Sequence, residues 1–307
     1  MKIISHSADM DGKLSAFLVA KKFDITNEND FIMTDYGKHD EWLSKINKDE
    51  EVVICDFSFE NKDNDMKKLY EITNKVIWID HHESSINDYG DYGNNIPGIR
   101  VIGTAACMLT YIYFYILEKN IDWNNLKVYN LTQKECELLY DKAPLLVRLV
   151  HDYDVWRFQY GEDTEKFKLG LDSENIESPL DLRLKDLFYS ESGVKRLINI
   201  GQFLINYRNS LGSHACDFGG FEYELCGKKG YCLNNVMGGS PWFGDKIKEY
   251  DFVCSFCYIG KTKEWEYSFY CDASKDTSCF ELAKSINPKG GGHKQAAGCI
   301  SKEFIFK

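Results

Sequence analysis

Between Lys2 and Leu117 short apolar runs alternate with stretches of helical length. Lys2–Ser5 (KIIS), Val52–Cys55 (VVIC) and Val76–Ile79 (VIWI) are strand-length runs, whereas Leu14–Phe23, Met66–Lys75 and Ala105–Leu117 have the spacing of helices. Such alternation predicts a parallel sheet with helices on its faces. From Thr132 to Leu211 the pattern is mostly helical, including KECELLYDKAPLLVRLVHD and GVKRLINIGQFLINYRNSL, with the polar loop Ser173–Pro179 between them. Beyond Leu211 the texture changes to short aromatic and β-branched runs, FEYELC, YCLNNV, DFVCSFCYIG and EWEYSFYCDA. They predict a smaller β-rich unit that ends in a helix, Ser278–Ile286, and the glycine run Gly290–Gly292 followed by His293. The expected fold class is α/β: an N-terminal parallel-sheet domain with a helical extension over 1–190, a linker helix over 191–213, and a smaller C-terminal α/β domain with a glycine loop over 214–307.

The three apolar runs near the N-terminus all end in residues that bind metals. KIIS runs into His6, Asp9 and Asp11; VVIC runs into Asp56; VIWI runs into Asp80, His81 and His82. In an open parallel sheet, ligands collect outside the carboxyl ends of the strands, where the loops converge. Three strands therefore deliver imidazoles and carboxylates to one place.

Composition narrows the substrates. The chain has 307 residues, 44% of them hydrophobic, which is ample for a buried core and for two domains. Its 37 basic and 48 acidic residues give a formal charge of -11, which repels long phosphate backbones and argues against duplex DNA as a partner. The N-terminus MKIISHSADMDG has no apolar signal region, and no apolar stretch is long enough to span a bilayer. A cytoplasmic protein that does not engage a membrane is expected. The eleven cysteines are irregularly spaced, which predicts free thiols. Cys254 and Cys257 form a CxxC, but three residues apart on a strand they point to opposite faces, so buried strand cysteines are expected there and not a zinc knuckle.

Within HSADMDG, Gly12 permits the turn into the following helix, and the carboxylates of Asp9 and Asp11, two apart in a loop, can face two different cations. Taken alone, acidic residues there would more often cap a helix. Asp56 and the DHH triplet change that balance. A hydrolytic pair of divalent ions roughly 4 Å apart needs a carboxylate that bridges both, further N and O ligands for each, and room for a bridging hydroxide. His6, Asp9, Asp11, Asp56, His81 and one further Asp meet that count, and HDYDVW offers both Asp152 and Asp154 for the last place. Mixed imidazole and carboxylate ligands suit Mn²⁺ better than Mg²⁺.

GGGHKQAAG at Gly290–Gly298 has a separate logic. Consecutive glycines let backbone N–H groups form a concave nest for an anion, and His293 adds a donor or a cation. A plain turn is the alternative.

Together these segments resemble the DHH phosphoesterase superfamily, in the branch that carries the DHH-associated C-terminal domain. HSADMDG is similar to the first motif, VVICDF to the second, IDHHES to the third, HDYDVW to the fourth, and GGGHKQAAG to the signature of the associated domain. The resemblance covers nearly the whole chain and is nearest in texture to the oligoribonuclease and cyclic-nucleotide phosphodiesterase members. It implies two Mn²⁺ ions, with His6 and Asp9 on one, Asp11, His81 and Asp152 on the other, and Asp56 bridging them. Asp152 is preferred to Asp154 because the family's fourth-motif ligand is followed four residues on by an aromatic residue, here Trp156. His82 would contact the scissile phosphate or assist proton transfer, so the implied catalytic set is Asp56, His82 and His293. Gly290, Gly291, Gly292 and His293 would bind substrate. One departure is Tyr270-Cys271, where several relatives have Arg-Ser on the strand before a helix that carries the glycine loop.

The expected activity is hydrolysis of phosphodiester bonds in short oligonucleotides or small nucleotides, with turnover depending on substrate length. Within enzymes the alternatives are a cyclic mono- or dinucleotide phosphodiesterase and a 3′,5′-bisphosphate nucleotidase. Outside them stands a nucleotide-binding sensor with an inert metal site. A homodimer is compatible with any of these.

Overall fold

The computed structural model describes residues 1–35, 42–59, 65–236 and 239–306. The chain divides into two compact units, Met1–Gln202 and Phe203–Lys307. The first unit holds six strands: β1 (Lys2–His6), β2 (Phe31–Thr34), β3 (Val52–Cys55), β4 (Val76–Asp80), β5 (Gly98–Arg100) and β6 (Val128–Tyr129). Their order is β2-β1-β3-β4-β5-β6, and every pairing is parallel. Because β2 and β3 flank β1 on opposite sides, the order reverses at β1, and a crevice opens there at the carboxyl ends of the strands.

The central strands are largely apolar because both faces of the sheet are covered. Ile3, Val53, Cys55, Ile77 and Ile79 face one layer, built largely from α1 (Met10–Phe23), α4 (Ala106–Tyr111) and α6 (Leu145–Asp154). Ile4, Val52, Ile54, Val76 and Trp78 face the other, with Trp42, Phe57, Phe59, and Met66 and Leu69 of α2 (Asp65–Ile72). The helix expected over Ala105–Leu117 begins as α4 and continues as a wider turn over Ile112–Leu117. Helix α3 (Glu83–Asn94) follows the DHH triplet directly. The helical stretch beyond Thr132 resolves into α5 (Gln133–Glu137), α6, α7 (Glu162–Ser173), α8 (Leu182–Tyr189) and α9 (Glu191–Gly219), and the division between the two units falls inside α9.

The second unit is a mixed sheet of β7 (Gly220–Leu225), β8 (Lys228–Asn234), β9 (Phe252–Ile259), β10 (Glu264–Tyr270), β11 (Gly291–Gly292) and β12 (Ala296–Ser301), ordered β11-β12-β10-β9-β8-β7. Besides the end of α9, its helices among the described residues are the short α10 (Lys246–Glu249) and α11 (Cys279–Ile286). Ser278 accepts a hydrogen bond from Glu281 N and so caps α11, whose Cys279, Leu282 and Ala283 pack with Phe252, Cys254, Tyr267 and Phe269 of the sheet. The glycine run opens a strand hairpin and not a helix: Gly291 pairs with Gly298 and Gly292 with Ala297. Gly292 sits at φ 135°, where a Cβ would lie 2.5 Å from Ala296 O, so glycine is required there for close strand approach. Cys254 is buried on β9 while Cys257 is partly exposed, and all eleven cysteines are free. Among the described residues no helix is long and apolar enough to cross a membrane.

Candidate metal centre

Each of the three adjacent strands β1, β3 and β4 ends at the site. His6 is the last residue of β1, Asp56 follows β3, and Asp80 is the last residue of β4. The sequence then turns at once into helices on two of these edges, so the ligands are held by helix starts as well as by strand ends. Asp9 caps α1 by accepting from Gly12 N at 3.1 Å. Gly12 itself lies inside the helix; a Cβ there would come 2.2 Å from His6 O and 3.1 Å from Asp56 Oδ2. Its place in HSADMDG is therefore explained by close approach of α1 to the end of β1 and not by a turn. Asp11, in the first turn of α1, is buried and accepts from Ala106 N and Cys107 N, each at 2.8 Å, at the start of α4. A carboxylate at a helix N-terminus meets unsatisfied amides and the positive end of the dipole.

Asp80 orients the histidines. Its Oδ1 accepts from His81 N at 2.8 Å and His82 N at 3.2 Å and lies 2.7 Å from His82 Nδ1, which fixes the turn into α3. His81 Nε2 consequently points at three carboxylates: Asp56 Oδ1 at 3.3 Å, Asp11 Oδ2 at 3.6 Å and Asp154 Oδ2 at 3.6 Å. On the other side of Asp56, His6 Nδ1 is 3.4 Å from Asp9 Oδ2 and 3.9 Å from Asp56 Oδ2. His82 Nδ1 stands 4.0 Å from Asp56 Oδ1. Three groups of potential ligands result, His6/Asp9/Asp56, Asp56/His81/His82 and Asp11/His81/Asp154, each with its ligating atoms within 4.8 Å of one another. Asp56 is common to the first two, and His81 to the last two.

The structure corrects the choice made in HDYDVW. Asp152 is 1% exposed, and its carboxylate is already used: Gln159 N donates at 2.8 Å, Tyr160 N at 3.3 Å, and the Thr164 hydroxyl also donates. It fastens the loop after α6. Asp154, at the end of α6, is the residue beside Asp11 and His81. Two positions apart on a helix, the two side chains diverge by about 200°, so only one can face the sheet edge. The glycine run also differs from expectation. Gly290 N donates to Asn287 O in the turn after α11 and His293 N to Ala296 O across the hairpin, each at 2.7 Å, so these two amides are engaged within the chain, and the His293 side chain is exposed.

Asp35 was not anticipated. It follows β2, lies 3.8 Å from His6 Nε2 and accepts from Ser7 Oγ at 2.5 Å. The rule that exposed Asp56 would have found it, had FIMT been read as a strand.

Crowded carboxylates shape the electrostatics. Burial, reinforced by the charges of Asp11, Asp9, Asp80 and Asp154, raises the Asp56 carboxyl well above its ordinary range. Burial and the Asp11 charge push Asp154 up to about 7, with His81 opposing. At Asp9 burial is outweighed by the His6 hydrogen bond and the Gly12 amide, and the carboxyl is lowered. The hydrogen bond to Asp80 raises His82 against the effect of burial. Asp56 Oδ2 and Asp154 Oδ2 are buried without a hydrogen-bond donor. Orphaned carboxylate oxygens surrounded by like charge are costly unless a cation satisfies them, so the residues present fit divalent metal binding.

No protein-family model matches the sequence, and no curated protein matches it. Solved structures do. A DHH domain described as from a member of a ribosomal-protein family aligns with 98% of this chain and 82% of its own at 15% identity and a TM-score of 0.51. A pGpG-specific phosphodiesterase from Vibrio cholerae aligns with 98% of this chain and 93% of its own at 14% identity, with a TM-score of 0.49. An uncharacterised Helicobacter pylori protein aligns over 99% and 93% at 16% identity, with a TM-score of 0.40. The chain shares the fold of the first of these, a DHH domain.

Proposed function

We propose that the chain is a metal-dependent phosphoesterase of the DHH superfamily, using two divalent ions, most suitably Mn²⁺. The observation that carries this reading is the position of Asp56, whose two oxygens face His6 and Asp9 on one side and His81 on the other. The first ion would be held by His6, Asp9 and Asp56, and the second by Asp56, His81, Asp11 and Asp154. When bound, such ions supply a water of lowered pKa and positive charge on the phosphoryl oxygens. The DHH-domain fold and the resemblance of the motifs to DHH phosphoesterases support the assignment.

The chain's own residues do the rest. Asp80 holds His82 Nδ1 and leaves the far edge of that imidazole to meet the scissile phosphate or the departing oxygen. The α4 amides fix Asp11 before any ion arrives, which removes reorganisation from binding. The acidic balance favours short oligonucleotides or small nucleotides over duplex DNA, in a cytoplasmic setting. The exposed His293 and its hairpin would contribute to nucleotide binding.

The test is metal content of the purified protein together with Mn²⁺-dependent turnover of bis(p-nitrophenyl) phosphate. A screen of di- to decanucleotides, cyclic dinucleotides and adenosine 3′,5′-bisphosphate follows. About two ions per chain and turnover that chelator abolishes are expected. Tight metal binding without turnover of any ester would favour a nucleotide sensor instead.

A further inference from the structure

A cavity of about 470 Å³ opens beside the metal centre, within the first unit. Its lining includes Asp9, Asp11 and Asp154 of the metal centre together with Leu149, Phe167, Leu171 and Ile176. The size is that of a small-molecule pocket. Three features of its lining are unexplained by the metal site.

Trp156 is the first. It is 69% exposed, and its backbone sits at φ 56°, a conformation costly for a bulky residue. The loop is held that way by Asp152, through the amides of Gln159 and Tyr160. The second is how the ring is held. Tyr153 and Phe158 meet it at interplanar angles of 66° and 88°, so neither stacks on it, and the indole is braced while its face stays open. The third is Lys13. It lines the cavity and makes no hydrogen bond or ion pair among the described residues, whereas Lys168, the other lining cation, pairs with Asp172 and lies 5.4 Å over the Tyr153 ring. An unpaired ammonium beside a crowd of carboxylates is placed for an anion that arrives with the ligand.

We infer that this cavity is a nucleoside subsite, in which Trp156 stacks a base and Lys13 contacts a phosphate on the same nucleotide. An open aromatic face recognises any base by its π surface, and the apolar wall accepts the rest of the ring system. The identity of the group beside the carboxylates rests on the phosphoesterase reading above. The base site does not.

The experiment titrates the full chain with adenosine 5′-monophosphate and with ribose 5-phosphate, in Mn²⁺, by calorimetry. The base-bearing ligand should bind at least about tenfold more tightly, the scale of one base-aromatic stack. Trp156→Ala should erase that ratio, Trp156→Phe should restore most of it, and Lys13→Gln should weaken both ligands alike. Adenosine against ribose, in chelator and read by saturation-transfer NMR, should show the same ranking without metal or phosphate. Equal affinities in the wild type, or a ratio that survives Trp156→Ala, overturn the subsite. Failure to turn over bis(p-nitrophenyl) phosphate would instead count against the metal-centre reading, and the adenosine comparison would still decide this one.

Discussion

At the carboxyl edge of the parallel sheet, Asp56 Oδ2 and Asp154 Oδ2 are buried without a donor, while in the glycine run of the second unit the amides of Gly290 and His293 already donate to Asn287 and Ala296. Both segments carry residue types that suggest chemistry. They differ in what has been done with the polar atoms. Unsatisfied buried acceptors mark a place where something positive is to be bound, since leaving them bare costs of the order of 1–3 kcal/mol each. Satisfied amides mark a place where the backbone is being held. The first region is therefore the one whose polar atoms fit a cation, and the glycine run keeps one exposed imidazole, His293.

The largest effect should come from Asp56→Asn. Binding of at least one Mn²⁺ and at least about 100-fold of turnover should be lost, because even partners outside the ligand shell cost up to that amount. The metal-free variant should melt higher than the wild type, since a neutral amide relieves the repulsion from Asp9, Asp11 and Asp154. Calorimetry in chelator and Mn²⁺ titration measure both. A variant that keeps two ions and full activity would end the contrast between the regions.

Asp154→Asn and Asp152→Asn sharpen it further. The first should weaken Mn²⁺ binding by at least about tenfold and raise the melting of the metal-free chain, since a neutral amide relieves the burial and the Asp11 repulsion that push this carboxyl up to about 7. The second should leave Mn²⁺ affinity nearly intact but destabilise the fold by about 1–3 kcal/mol, since an amide replaces an acceptor of two backbone N–H groups. The reverse pattern would restore the sequence-based choice.

A pH profile checks burial in the same region through a base. His151 accepts from Ala105 N, and burial, helped by Arg157 and His81 against Asp152, lowers its pKa from 6.5 to about 4. The unfolded chain then takes up a proton near 6.5 that the folded chain refuses until about 4, so stability should fall as pH drops through that window and level off below it. At most about 3 kcal/mol is involved. Denaturation midpoints of the metal-free wild type and His151→Gln at pH 7 and pH 5 should differ in slope, and identical slopes would refute it.

The smallest effect is expected from His293→Ala. Stability and Mn²⁺ affinity should stay within error, while KM for a dinucleotide rises, a change confined to binding. No change in KM would remove the second unit from substrate recognition.

Much of the centre was legible in the sequence because strand ends in a parallel sheet gather at one edge, and KIIS, VVIC and VIWI are unmistakable as fully buried strands. FIMT was missed because four residues flanked by polar sequence give too short a period, and Asp35 was missed with it. Asp152 and Asp154 could not be told apart because the selection is made by Gln159, Tyr160 and Thr164, residues of a loop whose path no local pattern announces. The hairpin at Gly291 was equally hidden, since its partners Ala297 and Gly298 look like helix-packing residues out of context.

The two amides of α4 that grip Asp11 also bear on ion selection. One lone pair on each oxygen is engaged, so this carboxylate cannot pivot freely between one-oxygen and two-oxygen coordination. Calcium, with its six to eight ligands at about 2.3–2.6 Å, depends on that freedom, whereas smaller ions with fixed octahedral geometry do not. If an ion is held there, a carboxylate anchored by a helix would work as a gauge of ionic radius and would disfavour the larger abundant cation.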